Sequence, residues 1–152
     1  MTPRFDAPAV APALYKAMLG LEMQIQRAGL GKILLELVKM RASQINGCAF
    51  CLDMHARDAR AAGETEQRLY LLNAWRESPL FDARERAALA WTEALTLVST
   101  THAPDAVYEE VLAQFSQEEA VTLTFAIMAI NAWNRLAIAG RFLHAMPEKA
   151  AA

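Results

Sequence analysis

A chain of 152 residues, 55% hydrophobic and 21% charged, is long enough to bury a real core, hiding roughly 70% of its unfolded surface. With only 6 Gly and 6 Pro, it is neither a disordered segment nor a loop-rich scaffold. The formal net charge of -2, from 15 basic and 17 acidic side chains with no basic cluster, gathers no phosphates and excludes nucleic acid as the expected partner.

The leading segment Met1-Thr2-Pro3-Arg4-Phe5-Asp6-Ala7-Pro8 lacks an apolar signal core, so a cytoplasmic setting is expected. Period-two alternation is nearly absent and apolar residues recur at three and four, which predicts an all-α, single-domain helical bundle over residues 1–152. Pro8 and Pro12 bracket a stiff lead-in. Leu14, Met18, Leu21, Ile25 and Ala28 then mark one face of a first helix that Gly29 ends, and Gly31 allows a tight turn back. A second helix runs from about Lys32 to Gln44, with Leu34, Leu37, Val38 and Met40 as its apolar positions and Asn46-Gly47 as the turn after it. A third spans Cys48 to Ala62 and stops at Gly63, and a fourth covers Glu64 to Trp75 before Ser78-Pro79 breaks the pattern. Asp82 with Glu85 is a capping box that opens a helix from Ala83 to about Leu97. Ser99 to Pro104 reads as a turn and Asp105 to Gln114 as a short helix. Ser116 with Glu119 repeats the capping pattern ahead of a long helix that reaches Gly140.

That last helix is apolar on nearly every side through Val121, Leu123, Phe125, Ile127, Met128 and Ile130. It must be covered all round, by a central position or by a second subunit, so a homo-oligomer is expected. Its most water-averse stretch, Ala120 to Ile130, falls short of the about 20 residues that cross a bilayer, so no membrane is expected.

The chemistry concentrates in Cys48-Ala49-Phe50-Cys51-Leu52-Asp53-Met54-His55, where Cys51 follows Cys48 by one helical turn and His55 follows Cys51 by another. Cysteines three apart at a helix start can close a small disulfide, and the free amides there stabilise a thiolate, which points to Cys48 as the more acidic thiol. His55 can accept or return a proton near neutral pH. Glu36, among Leu34, Leu35, Leu37 and Val38, comes back toward His55 if the second and third helices pack antiparallel, and can then relay protons. Two rival readings are buried structural thiols and a zinc site, which needs Glu36, water or a neighbouring subunit to complete four ligands. Haem attachment wants His directly after the second Cys, where Leu52 stands. His102 and His144 read as loop and surface residues. Trp75, Trp91 and Trp133 read as core or interface anchors, one of which can line a substrate pocket. Asn134 and Arg135 read as structural hydrogen-bond or ion-pair partners, with substrate binding as the alternative.

At these residues the sequence resembles the alkylhydroperoxidase D-like family within the carboxymuconolactone decarboxylase superfamily. The family core has a Glu, eleven intervening residues, Cys-x-x-Cys and a His after three more, matched here by Glu36, Cys48, Cys51 and His55. Asn131-Ala132-Trp133-Asn134-Arg135 also resembles the continuation seen in many members. The resemblance implies an all-helical subunit in a homo-oligomer, often a trimer or hexamer, which reduces peroxide with paired cysteines. It assigns peroxide attack to Cys51 and resolution to Cys48, against the dipole argument, and leaves Cys48 as the site met by an external reductant. One departure is Phe50, where the fully equipped hydroperoxidase has a His. A phenyl ring neither transfers a proton nor donates a hydrogen bond.

The expected activity is thus a thiol-dependent, peroxidase-like oxidoreductase. It takes a hydroperoxide as substrate, an external dithiol or thiol protein as reductant, and neither organic cofactor nor metal. A protein disulfide-exchange enzyme or redox sensor is the alternative. A lactone decarboxylase-like enzyme and a structural oligomer rank lower.

Overall fold

The computed structural model describes residues 1–145. Its helices are α1 (Ala7–Val10), α2 (Pro12–Arg27), α3 (Lys32–Asn46), α4 (Ala49–Ala61), α5 (Glu66–Leu71), α6 (Ala83–Thr96), α7 (Val98–Thr101), α8 (Asp105–Gln114) and α9 (Gln117–Gly140), with a 3-10 turn over Leu72–Ala74 after α5. No strand occurs among the described residues, so the chain is an all-α bundle.

Both capping boxes form: Asp82 and Glu85 open α6, and Ser116 and Glu119 open α9, each side chain reaching the other's backbone N–H. The fourth predicted helix is shorter than its pattern suggests. Glu64 turns inward, accepting from Thr65 N–H at 2.7 Å and from the Arg68 guanidinium at 2.9 Å, and Thr65 becomes the cap; at the other end α5 passes after Leu71 into the 3-10 turn. The predicted turn at Ser99 to Pro104 begins as the helical turn α7, because Thr101 Oγ1 donates to the Ala94 carbonyl at 2.6 Å. The reversal itself falls on His102 and Ala103, both with positive φ.

The sequence makes α9 the candidate for the central position, but α3 takes it. Leu34, Leu35, Leu37, Val38, Met40 and Ala42 are all buried, and α3 packs on α4, α6 and α9. One apolar cluster joins Ile25, Leu35, Val38, Trp91, Leu123 and Ile127, and another joins Leu37, Leu69, Leu72, Phe81 and Leu89. α9 is longer than its apolar stretch, and by length and composition its 24 residues suffice to cross a membrane. Length therefore does not settle its role as the sequence argument supposed. Its Leu123, Ala126, Ile127 and Ile130 face is buried in the core, while Val121, Phe125, Met128 and Ile138 are exposed.

Glu93 ties three elements together. Arg41 Nε of α3 and Trp75 Nε1 each donate to its Oε1 at 2.8 Å, and Arg76 bonds its other oxygen. Burial pushes this carboxyl up, but the hydrogen bonds from Trp75, Arg76 and Arg41 outweigh it and hold Glu93 below the usual carboxylate range.

Candidate active site

The site begins at a helix junction. Gly47 ends α3 in the left-handed region at φ 71, where a Cβ is disfavoured, and Cys48 N–H donates back to the Ser43 carbonyl at 3.0 Å. Cys48 is thereby set in extended backbone as the cap of α4, one residue before the helix rather than inside it, and its Sγ accepts from Cys51 N–H at 3.3 Å. The first-turn amides of a helix lack intrahelical partners, so this sulfur occupies the spot where negative charge is best held. The Cα atoms of Cys48 and Cys51 are 5.4 Å apart and their sulfurs are at disulfide-bonding reach. Both cysteines are only 1% exposed, so exposure does not distinguish them.

The α3–Gly47–α4 hairpin is antiparallel and brings Glu36 of α3 to His55 of α4, with Oε2 2.7 Å from Nδ1. Both side chains are buried. Asp58, one turn beyond His55, completes a cluster in which one ligand-type atom from each of the three residues lies within 4.8 Å of the others. That cluster leaves out both cysteines, so it differs from the cysteine-based zinc set considered from sequence. Lys39, one turn beyond Glu36, is 3% exposed and its ammonium pairs with Glu22 of α2.

A cavity of about 250 Å³ opens beside these groups. Cys51, His55, Glu36, Lys39, Glu22 and Asp58 line its polar side, and Cys48 is not among its lining residues. The apolar wall comes from Leu19, Phe50, Ile130, Trp133 and Phe142. Phe50 and Phe142 meet edge to face at 5.6 Å, as do Tyr15 and Trp133 at 5.3 Å, an arrangement favoured by the ring quadrupoles. Trp133 is the tryptophan that reaches the cavity; Trp75 and Trp91 are buried in the core clusters.

Asn134 is fully buried and structural: its Nδ2 donates to Ser43 Oγ at 2.9 Å and its Oδ1 accepts from Asn46 Nδ2 at 2.8 Å, bracing the end of α3 that leads into Cys48. Arg135 donates to the Asn131 carbonyl at 2.8 Å from the surface. His102 sits in the left-handed reversal and His144 on the exposed C-terminal segment, both apart from the cavity. Sequence reasoning missed Lys39, Glu22, Asp58 and Tyr15. Lys39 and Asp58 carried a usable signal, each lying three residues beyond a singled-out residue and so on its helical face. Tyr15 and Glu22 carried none, because their place depends on how α2 docks.

Known proteins agree with this architecture. The model of the carboxymuconolactone decarboxylase family matches residues 12–94. The uncharacterized protein YdfG of Bacillus subtilis is 42% identical over 139 residues, covering 91% of this chain and 95% of its own. A crystal structure of a protein of unknown function from Agrobacterium tumefaciens, a candidate antioxidant defence protein AhpD, superposes with a TM-score of 0.92 at 44% identity, over 95% of this chain and 99% of that one. The debrominase Bmp8 shares the fold alone, with a TM-score of 0.76 at 22% identity over 88% of this chain and 72% of its own. With a family model matching more than half of its length and relatives that align nearly end to end, the chain belongs to the carboxymuconolactone decarboxylase family and has the alkylhydroperoxidase D-like fold.

Proposed function

We propose that this chain is a thiol-dependent, peroxidase-like oxidoreductase that reduces hydroperoxides through a Cys48–Cys51 dithiol/disulfide cycle. One observation carries the reading: Cys51, within bonding reach of Cys48, lines a largely apolar cavity together with the Glu36–His55 pair. The likeness to the Agrobacterium protein, with its antioxidant description, supports the same class of activity.

In the reduced site Nδ1–H of His55 donates to the Glu36 carboxylate, which leaves Nε2 as the acceptor for the Cys51 thiol proton. The Cys51 thiolate attacks the terminal oxygen of the hydroperoxide. The O–O bond breaks, Cys51 becomes a sulfenic acid, and the departing oxygen takes up a proton as an alcohol. Cys48 then attacks the Cys51 sulfur, forming the disulfide and releasing water. An external dithiol returns both cysteines to thiols and leaves as its own disulfide. The sum is one hydroperoxide and one dithiol converted to an alcohol, water and a disulfide.

Within this reading we place the reductant at Cys51 rather than at Cys48, where the sequence argument put it. Cys51 lines the cavity, and Cys48, stabilised as a thiolate at the cap, is the better leaving group. With both sulfurs buried, the reductant reaches them as a small dithiol or on a slender arm. This favours the peroxidase reading over exchange with a folded protein surface. We assign the cycle to a cytoplasmic homo-oligomer: the exposed apolar residues of α9 support an assembly of some kind, and the trimer or hexamer is what the family resemblance implies.

A hydroperoxide panel read by dithiol consumption and intact mass tests the function. Catalytic dithiol oxidation that depends on hydroperoxide and is lost in Cys51→Ser is expected. Wild-type protein inert to every hydroperoxide, with its dithiol fully reduced, overturns the reading. Light scattering tests the oligomer, and a persistent monomer removes it.

A further inference from the structure

We infer that Lys39 is the general acid that protonates the oxygen leaving the hydroperoxide, an inference that rests on the peroxidase reading above. Lys39 follows Glu36 by one helical turn on α3, so both side chains face the same way, and both line the cavity with Cys51. Among the described residues lining that cavity, Lys39 is the one lysine or arginine, against the three carboxylates Glu22, Glu36 and Asp58. Peroxide cleavage places negative charge first on sulfur and then on the departing oxygen. In a pocket already rich in carboxylates and walled by Phe50, Trp133 and Phe142, that charge needs a fixed positive partner.

The burial of Lys39 makes a purely structural role costly. Its ammonium is removed from water to pair with Glu22 of α2, and a buried ion pair is in general no more stabilising than apolar side chains of the same shape. The pairing is also incomplete: Glu22 Oε2 is buried and has no hydrogen-bond partner among the described residues. Lys39 thus holds its ammonium at the cavity wall with protons to give, and Glu22 has a free acceptor to steady it. Phe50, the residue before Cys51, offers no proton, and His55 is committed at Nδ1 to Glu36.

Protons balance within the site. His55 takes the thiol proton of Cys51, the thiolate attacks, the O–O bond breaks, and Nζ–H of Lys39 passes its proton to the alkoxide as it leaves. The proton held by His55 then restores the Lys39 ammonium. An ammonium is a far stronger acid than an alcohol, so transfer to an alkoxide is downhill.

The test compares two aryl oxidants that differ in their leaving groups, cumene hydroperoxide and peroxybenzoic acid. Cumyl alkoxide needs a proton to depart, whereas benzoate leaves as a stable anion. Reduced wild-type, Lys39→Met and Glu22→Gln/Lys39→Met proteins are mixed rapidly with each oxidant and Cys51 oxidation is followed. The double variant removes the stranded Glu22 charge, which keeps the test available if Lys39→Met does not fold. The expected result is that the rate ratio, cumene hydroperoxide over peroxybenzoic acid, falls by about tenfold or more in both variants, within the range of a general acid. Equal losses with both oxidants, or an unchanged ratio, overturn the assignment of Lys39 and leave the peroxidase reading standing. A wild-type protein inert to both oxidants overturns that reading and Lys39 with it.

Discussion

Glu36 and His55 are 19 residues apart in sequence and meet at 2.7 Å, Oε2 to Nδ1, across the hairpin of α3 and α4. Each is buried, and each has the other within hydrogen-bond distance. This makes the pair a unit whose members are tested together. Glu36→Gln keeps the size and hydrogen-bonding capacity but exchanges no proton near neutral pH. It is expected to slow peroxide-driven thiol oxidation by about 10–100-fold, with helix content unchanged. His55→Gln should slow the same step, and the double variant should be little slower than either single one, because one relay is removed once. Rapid mixing across pH, with disulfide reduction followed separately, measures this. Wild-type rates in both half-reactions for Glu36→Gln remove Glu36 from the relay.

Oxidation is expected to link Cys48 to Cys51 within one chain, since the two sulfurs are already at bonding reach. Peroxide-treated protein should lose about 2 Da, the two hydrogens released on forming one disulfide, and peptide mapping should place the link. Cys48→Ser should stop at a sulfenic acid on Cys51, detectable as a dimedone adduct, whereas Cys51→Ser should give none at Cys48. A dimedone adduct confined to Cys48 would reverse the two roles.

Gly47 is expected to be sensitive for a backbone reason alone. Its φ is 71 and no heavy atom lies within 4 Å of where a Cβ would stand, so Gly47→Ala adds strain without a clash. A loss of about 1–2 kcal/mol in unfolding free energy follows from the left-handed conformation. Chemical denaturation measures it. The Cys48–Cys51 disulfide should still form, because the cap geometry is retained.

Glu93 should make the fold acid-sensitive. Its carboxyl is held low in the folded state by Trp75, Arg76 and Arg41, against the opposing effect of burial. Below its ordinary value of 4.5 the unfolded chain takes up a proton before the folded one does. The contribution of the carboxylate is therefore complete above that pH and is lost as pH falls through the lowered folded value. Glu93→Gln should destabilise the protein at pH 7 by about 1.5–3 kcal/mol, the scale of hydrogen bonds to a charged group. The gap between variant and wild type should narrow in denaturation curves as pH drops below 4.5. A gap that stays constant with pH would mean that the charge of Glu93 is not what holds α3, α6 and the Trp75 segment together.

Local features were legible in the order of the residues alone. Asp82 with Glu85 and Ser116 with Glu119 capped the helices they announced, and Gly47 and Gly63 ended helices with positive φ where the pattern stopped. The short Asn46-Gly47 connection favoured an antiparallel hairpin, on which the approach of Glu36 to His55 depends. All of these depend on residues a few positions apart, or on two helices whose connection leaves little freedom. Tertiary packing decided the rest. It set α3 rather than α9 at the centre, because α3 could bury Glu36, Lys39 and Ser43 against His55 of α4, Glu22 of α2 and Asn134 of α9 while α9 kept one apolar face outward. It brought Tyr15 and Glu22 of α2, with Trp133 and Phe142 from the far end of the chain, to the same cavity as Cys51. Gly140 illustrates the difference. As a letter it reads only as a helix end, yet a Cβ there would meet the Phe142 ring at 2.5 Å, so its lack of a side chain lets the cavity wall close. Contacts of this kind follow from the angles and offsets at which helices cross, which sum the packing of many side chains and are written in no single stretch of sequence.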